Sequence, residues 1–265
     1  MTIKKIMLLI ILMAIKLSAQ SENKKNSLTV GANYQTDMQY MGRKDSITTP
    51  LFVANFNYSF KNGIFINGEA YLDAKTSKLD GGYFALGYEL DKENWGASLD
   101  VSKYFFRTAT NLIRSDVKFS IDGAFYYKLN WITLNFNPTY NFGTTSSLTL
   151  AGGISKEIDI DEVTNNSSIH LTPKLYLWAG DESLIINHLL VKKKKRIATT
   201  SSINKFHLTS IEFDLLSEYI INNKFKISID PLIAIPQNYK ELGGYYATNY
   251  PKEIFILTAG VSYTF

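Results

Sequence analysis

Residues 258–265, Thr-Ala-Gly-Val-Ser-Tyr-Thr-Phe, decide the fold. With the residues just before them they place Phe255, Leu257, Ala259, Val261, Tyr263 and Phe265 on one side of an alternating run. Successive residues of a strand point to opposite faces, so this strand keeps an apolar face to its final residue. A water-soluble domain seldom leaves such a face bare at its terminus. Hydrocarbon beside the strand accounts for it.

The same octapeptide resembles the C-terminal targeting signal of bacterial outer-membrane barrels: a polar residue, a glycine two positions on, and aromatics third-last and last. Thr258, Gly260, Tyr263 and Phe265 fill those four places. The resemblance implies that barrel-assembly machinery is a partner during biogenesis.

The opposite end of the chain agrees. Lys4 and Lys5 precede an apolar run over residues 6–15, and Leu-Ser-Ala-Gln follows at 17–20. A basic start, a short apolar segment and a small-residue exit describe a cleaved secretory signal peptide. A membrane-spanning helix needs about twenty apolar residues, more than this run supplies. Cleavage falls after Ala19 or after Gln20, which divides the chain into a signal at 1–20 and a mature domain at 21–265. The sequence holds no cysteine, so the exported protein has neither a lipid anchor on cysteine nor a disulfide. Loss of Lys4, Lys5 and Lys16 with the signal, which contains no acid, lowers the formal charge from +4 to +1. A nearly neutral mature chain is not a nucleic-acid binder by charge.

After residue 20, alternating segments of about ten residues recur, the length a tilted strand needs to cross a bilayer. Phe52, Ala54, Phe56, Tyr58 and Phe60 form one apolar face, with Val53, Asn55, Asn57 and Ser59 opposite. Lys61-Asn62-Gly63 then supplies a tight hairpin turn, since Asn-Gly readily takes positive φ. Ile64, Ile66, Gly68, Ala70 and Leu72 continue the apolar face on the next strand. The pattern repeats to the end of the chain, with short turns at 61–63, 91–94, 129–131 and 222–224. Longer connections lie at 37–50, 74–82, 106–115, 179–205 and 236–253. A soluble sandwich would instead turn its apolar faces into a dry core. Aromatics near strand ends, among them Tyr58, Phe60, Trp95, Tyr127, Trp131, Tyr140 and Phe142, sit where a headgroup belt would hold them. The expected fold is all-β: a transmembrane antiparallel up-and-down β-barrel of roughly 12 strands, with ten or fourteen as alternatives. Pro138, Pro173 and Pro231 fall within strands, and each is expected to mark a bulge or a break in the ladder.

The residues opposite the apolar faces mix signs. Glu69, Asp100, Asp122, Asp159, Glu212, Asp214, Glu218 and Asp230 stand against Lys103, Lys118, Lys128, Lys174 and Lys226. They could line a water-filled passage or pair across a narrow lumen and fill it. Lys192, Lys193, Lys194, Lys195 and Arg196 form the one strong charge run, in a connection that fits either a short helix or an extended hairpin. This run is the candidate contact for lipopolysaccharide phosphates or another polyanion. Outer-membrane phospholipases, which this chain resembles in size and strand number, carry a His and a Ser two residues apart on the lipid-facing side. His207-Leu-Thr209 has that spacing and that parity, but threonine stands for serine and no acid follows to orient the imidazole. No catalytic, cofactor-binding or metal residue is assigned, and His188 has no partner at metal spacing.

In general character the chain resembles unassigned, porin-like outer-membrane barrels of Bacteroidota, a likeness that transfers no site. It implies a Gram-negative outer membrane and a passive role, as a channel or binding barrel for small solutes. The contrary expectation is a structural barrel bound to an envelope partner protein, with lipid hydrolysis a distant third.

Overall fold

The computed structural model describes residues 25–44, 48–107, 110, 112, 116–144, 146–164, 166–190, 195–242 and 250–265. The signal segment 1–20 lies outside them. The strands are β1 (Ser27–Gln35), β2 (Gln39–Tyr40), β3 (Arg43–Lys44), β4 (Leu51–Ser59), β5 (Ile64–Asp73), β6 (Lys78–Asp91), β7 (Trp95–Phe106) and β8 (Phe119–Lys128). There follow β9 (Thr133–Phe142), β10 (Ser147–Ser155), β11 (Ile158–Thr164), β12 (Ser167–Leu190), β13 (Lys195–Ile221), β14 (Phe225–Pro236) and β15 (Ile254–Thr264).

Each strand of the wall pairs antiparallel with its sequence neighbour. β15 returns to β1, and β10 pairs with β12, so the sheet closes as a twelve-stranded barrel. β11 continues β10 along the edge of β12, and the two-stranded β2–β3 hairpin lies outside the wall sheet. Closure requires stagger. The directly opposed residues Ser147, Asn141, Ser120, Ser102, Ala85, Asn67, Asn57, Thr29 and Thr264 trace it around the wall. That path begins at the loop end of β10 and finishes at the turn end of β15.

Alternation assigns the two faces. Phe84, Leu86, Val101, Phe136, Leu177, Phe213, Ile229 and Phe255 lie on the outer face, each between 44% and 61% exposed. Aromatic pairs two residues apart sit near strand ends on that face, with edge-on rings in Tyr58–Phe60, Tyr140–Phe142 and Tyr263–Phe265. Such amphipathic rings suit the headgroup level. Phe265 N–H donates to the Leu28 carbonyl at 2.9 Å, so the terminal residue helps to seal the last seam.

Two tight turns rest on residues with positive φ. Asn222 and Asn223 have φ 53° and 56°, the pair of left-handed residues a type I′ turn demands, while Gly63, at φ 88°, is the left-handed residue that closes the three-residue turn over 61–63. The three prolines break the ladder without shifting its register. Pairing pauses opposite Pro138 between β8 and β9 and opposite Pro231 between β13 and β14, and at Pro173 the strand edge divides into β10 and β11. Gly123 accommodates the Pro138 ring, since a Cβ there would lie 3.1 Å from it.

One assignment from periodicity changes. Lys103 belongs to the outer face: Asp100 and Ser102 fix the inward parity of β7, and the Lys103 ammonium sits 3.8 Å from the Phe119 ring centre. Its long aliphatic stem lets it lie on an apolar wall while its charge reaches the interface.

Candidate functional site: the lumen and its crossing loop

The connection between β1 and β4 folds into the barrel. Its β2–β3 hairpin turns at Met41 (φ 51°) and Gly42 (φ 68°), and a Cβ on Gly42 would lie 2.5 Å from Ser210 Cβ. Only glycine meets both demands, the left-handed backbone and the close approach. The hairpin reaches the wall opposite its own root. Asn141 Nδ2 on β9 donates to Tyr40 Oη at 3.2 Å, and Tyr40 Oη lies 3.3 Å from Thr149 Oγ1 on β10. Arg43 is fully buried and donates to two wall carbonyls, Thr209 (Nη1, 3.0 Å) and Gln237 (Nη2, 2.7 Å). Glu212 receives Ser210 Oγ at 3.0 Å and hydrogen-bonds the Gly42 backbone and the Gln39 side chain.

Polar staples hold this loop. Asp37 Oδ1 accepts from the Met38 and Thr49 N–H groups at 2.9 Å each, and its Oδ2 pairs with Lys44 Nζ at 2.6 Å. The last connection joins in: Lys44 N–H donates to Tyr250 Oη at 2.6 Å, and Tyr250 Oη donates to the Gly42 carbonyl at 3.0 Å. Met38 packs against two apolar clusters. One holds Ala234, Tyr250, Ile254 and Ile256; the other holds Leu51, Val53, Tyr71 and Leu112. The loop-end half of the lumen is therefore narrowed by a small dry core, which the alternating pattern of the strands does not announce.

The turn-end half is polar. Asn55, Asn57, Asn67, Glu69 and Tyr83 line a recess of about 220 Å³, and Glu69 hydrogen-bonds Tyr71 and Tyr83. Toward the loop end the tyrosines pass into the dry core: Tyr83 and Tyr104 stand 5.5 Å apart, Tyr104 stacks on Phe106 at 6.0 Å, and Tyr83 and Phe106 pack against the Leu51 cluster. Asp100 and Asp122 face each other across β7 and β8. Asp100 accepts from Ser102 Oγ at 3.1 Å, and Asp122 from Thr139 Oγ1 at 2.8 Å and from Ser120 Oγ. Across the lumen the lysines are taken up: Lys174 pairs with Asp214 at 3.1 Å and Lys226 with Glu218 at 2.7 Å. Among the described residues no lysine or arginine pairs with Glu69, Asp100 or Asp122. The mixed signs read from sequence thus sort into a paired wall and an acidic, tyrosine-lined wall.

The four residues that resemble an assembly signal divide between the two faces. Tyr263 and Phe265 face outward, 37% and 67% exposed, while Thr258 and Gly260 face the lumen. A side chain on Gly260 would collide with the Asn33 carboxamide, so that glycine has a packing reason of its own. In the basic run, Lys192, Lys193 and Lys194 lie outside the described residues. Lys195 and Arg196 open β13, opposite Leu190 and Leu189, in a hairpin extension of the wall. That settles the backbone between 179 and 205 as a hairpin where described. His188 lies in the same extension, at a position whose side chain is not described.

The His207–Thr209 pair is not presented to lipid. A register shift between Trp178 and Ala179 puts Phe206 and Leu208 on the exposed face and His207 in line with Gly180 and the lumen-facing Thr149. Thr209 is fully buried, and its Oγ1 donates to the Trp178 carbonyl at 3.1 Å. One cluster escaped the sequence reading: Glu157, Asp159 and His170 bring three ligand-type atoms within 4.8 Å of one another.

No family model and no curated protein matches the chain. Solved structures do. A KdgM porin aligns over 89% of this chain and 99% of its own, at 11% identity and a TM-score of 0.51. KdgM porin in complex with disordered oligogalacturonate aligns over 90% and 99%, at 11% identity and a TM-score of 0.50. LpxR from Salmonella typhimurium aligns over 89% and 99%, at 9% identity and a TM-score of 0.42, a likeness too loose to bear on activity. The chain has the closed twelve-strand barrel fold seen in outer-membrane porins.

Proposed function

We propose that this barrel is a porin-like channel of a Gram-negative outer membrane that admits and holds small hydrophilic solutes. The observation that carries the reading is a polar lumen inside an apolar wall, with a loop hairpin folded across one mouth as a constriction. The turn end, where β1 begins and β15 finishes, is the periplasmic side, and the stapled loops face outward. The KdgM porin is solved with oligogalacturonate, so a barrel of this fold accommodates a sugar chain. Here Glu69, Asp100 and Asp122 repel acidic chains. Neutral or cationic solutes, with tyrosine faces to stack on, fit the wall better.

The crossing loop also favours a second reading, a closed barrel that serves an envelope partner. Planar-bilayer recording of the detergent-folded protein separates the two. Discrete current steps are expected. Their absence from a barrel whose folding is confirmed by heat-modifiable migration would overturn the channel reading in favour of the second.

A further inference from the structure

We infer that Glu157, Asp159 and His170 form a binding site for a divalent transition-metal ion on the turn-end side of the lumen. β10 stops at Ser155, Pro173 faces the gap, and the chain resumes as β11, whose sheet partner is β12. Asp159 then stands directly across from His170. His170 Nδ1 lies 2.6 Å from Asp159 Oδ1 and 3.8 Å from Glu157 Oε1. Donor atoms about 2.0–2.2 Å from a shared zinc ion lie roughly 3–3.5 Å apart, and these two separations bracket that range.

The second nitrogen orients the ring. His170 Nε2 is 2.9 Å from Ser168 Oγ, and either atom can be the donor. With a metal ion on Nδ1, Nε2–H would donate to Ser168. An outer hydrogen-bond partner of this kind is what metal-binding histidines ordinarily have. One imidazole nitrogen with two carboxylate oxygens suits Zn²⁺ and its first-row neighbours better than Ca²⁺ or Mg²⁺, which prefer all-oxygen sets. The side chains of Glu157, Asp159 and His170 are 65%, 47% and 24% exposed, so water completes the coordination. An adjoining cavity of about 450 Å³, bounded by Asp161, Thr164, Ser168 and Asn222, gives solvent a path. The bound ion would clamp β11 to β12 where proline has removed ladder bonds.

The site does not depend on whether the lumen conducts. Zn²⁺ is titrated calorimetrically into the detergent-folded full barrel, and Co²⁺ is followed by its absorption. One ion per barrel is expected, with affinity falling at least tenfold in His170→Ala and about tenfold in Ser168→Ala, the usual scale for losing an orienting partner. Heat-modifiable migration of both variants should match the parent, since neither side chain is in the apolar wall. Absence of saturable Zn²⁺ binding by the parent would reduce the cluster to a histidine–carboxylate ion pair. Equal affinity of parent and His170→Ala, or equal competition by Ca²⁺, would also overturn the assignment.

Discussion

The two halves of the lumen are built on different principles. At the loop end, Met38, Leu51, Val53, Leu112, Ile254 and Ile256 pack as a soluble core would, and buried Arg43 and Asp37 are satisfied by backbone groups. At the turn end, asparagines, tyrosines and carboxylates face an unfilled space. One continuous wall serves both halves, so the difference comes from what the connections supply. Strands set the diameter, while the inward-folded β2–β3 loop, with Leu112 and Tyr250 from two other connections, decides which part of the bore is dry. On the channel reading, conductance and selectivity therefore belong to largely separate residue sets, and each set can be altered alone.

Both halves presuppose a closed wall, and closure is where one change does most. Phe265→Asp should cut the membrane-inserted yield severely, as measured by heat-modifiable migration of outer-membrane fractions. A charge on the lipid face costs up to about 2–4 kcal/mol at depth, less near the interface. The change also removes an aromatic that the proposed assembly signal needs. Yield equal to the parent would refute that role for Thr258, Gly260, Tyr263 and Phe265.

Removing the crossing loop should erase the contrast between halves while sparing the wall. Gln35 and Leu51 already face each other across β1 and β4, so a short Gly-Ser link can replace residues 38–48 without stretching the sheet. Single-channel conductance should rise severalfold in planar bilayers. An unchanged step size would mean that the hairpin is not the constriction.

The wall was legible in the sequence because lipid outside and polar lumen inside impose a period of two on nearly every strand. The plug was not. Residues 37–50 read as a polar surface loop, and Arg43 is buried only because Thr209 and Gln237, remote in sequence, arrive beside it. Parity also misleads wherever the register slips. The shift near Trp178 moved His207 and Thr209 off the lipid face, and nothing in the local composition marks it. The Glu157–Asp159–His170 cluster left only a partial signal. Centring the hairpin on residues 165–166 puts Asp159 opposite Thr172, and the irregularity between Ile160 and Thr164 brings His170 across from it instead.

The turn-end half can be tested without touching the plug. The combined variant Glu69→Gln, Asp100→Asn, Asp122→Asn keeps side-chain volume and removes three lumen carboxylates. Reversal potentials in a salt gradient should show a cation preference in the parent that falls toward none in the variant, with step size little changed. Fixed charge of one sign in a narrow bore sets ion preference through local field. Anion preference in the parent would show that the lysines of the opposite wall dominate.

The smallest effect concerns the rim beyond both halves. Lys195 and Arg196 open β13 in the hairpin extension it forms with β12, and Lys192, Lys193 and Lys194 precede them in the sequence. On the proposed reading the five cations attract lipopolysaccharide phosphates, each contact at an exposed site contributing about 1 kcal/mol or less. Attraction of this kind is screened over a Debye length of about 8 Å at physiological salt. Replacing all five with serine should lower the lipopolysaccharide retained on purification at low salt, with parent and variant converging as salt rises. Folding and conductance should stay at parental values, because the extension lies outside the lumen. Equal retention at low salt would leave the cluster with solvation as its role.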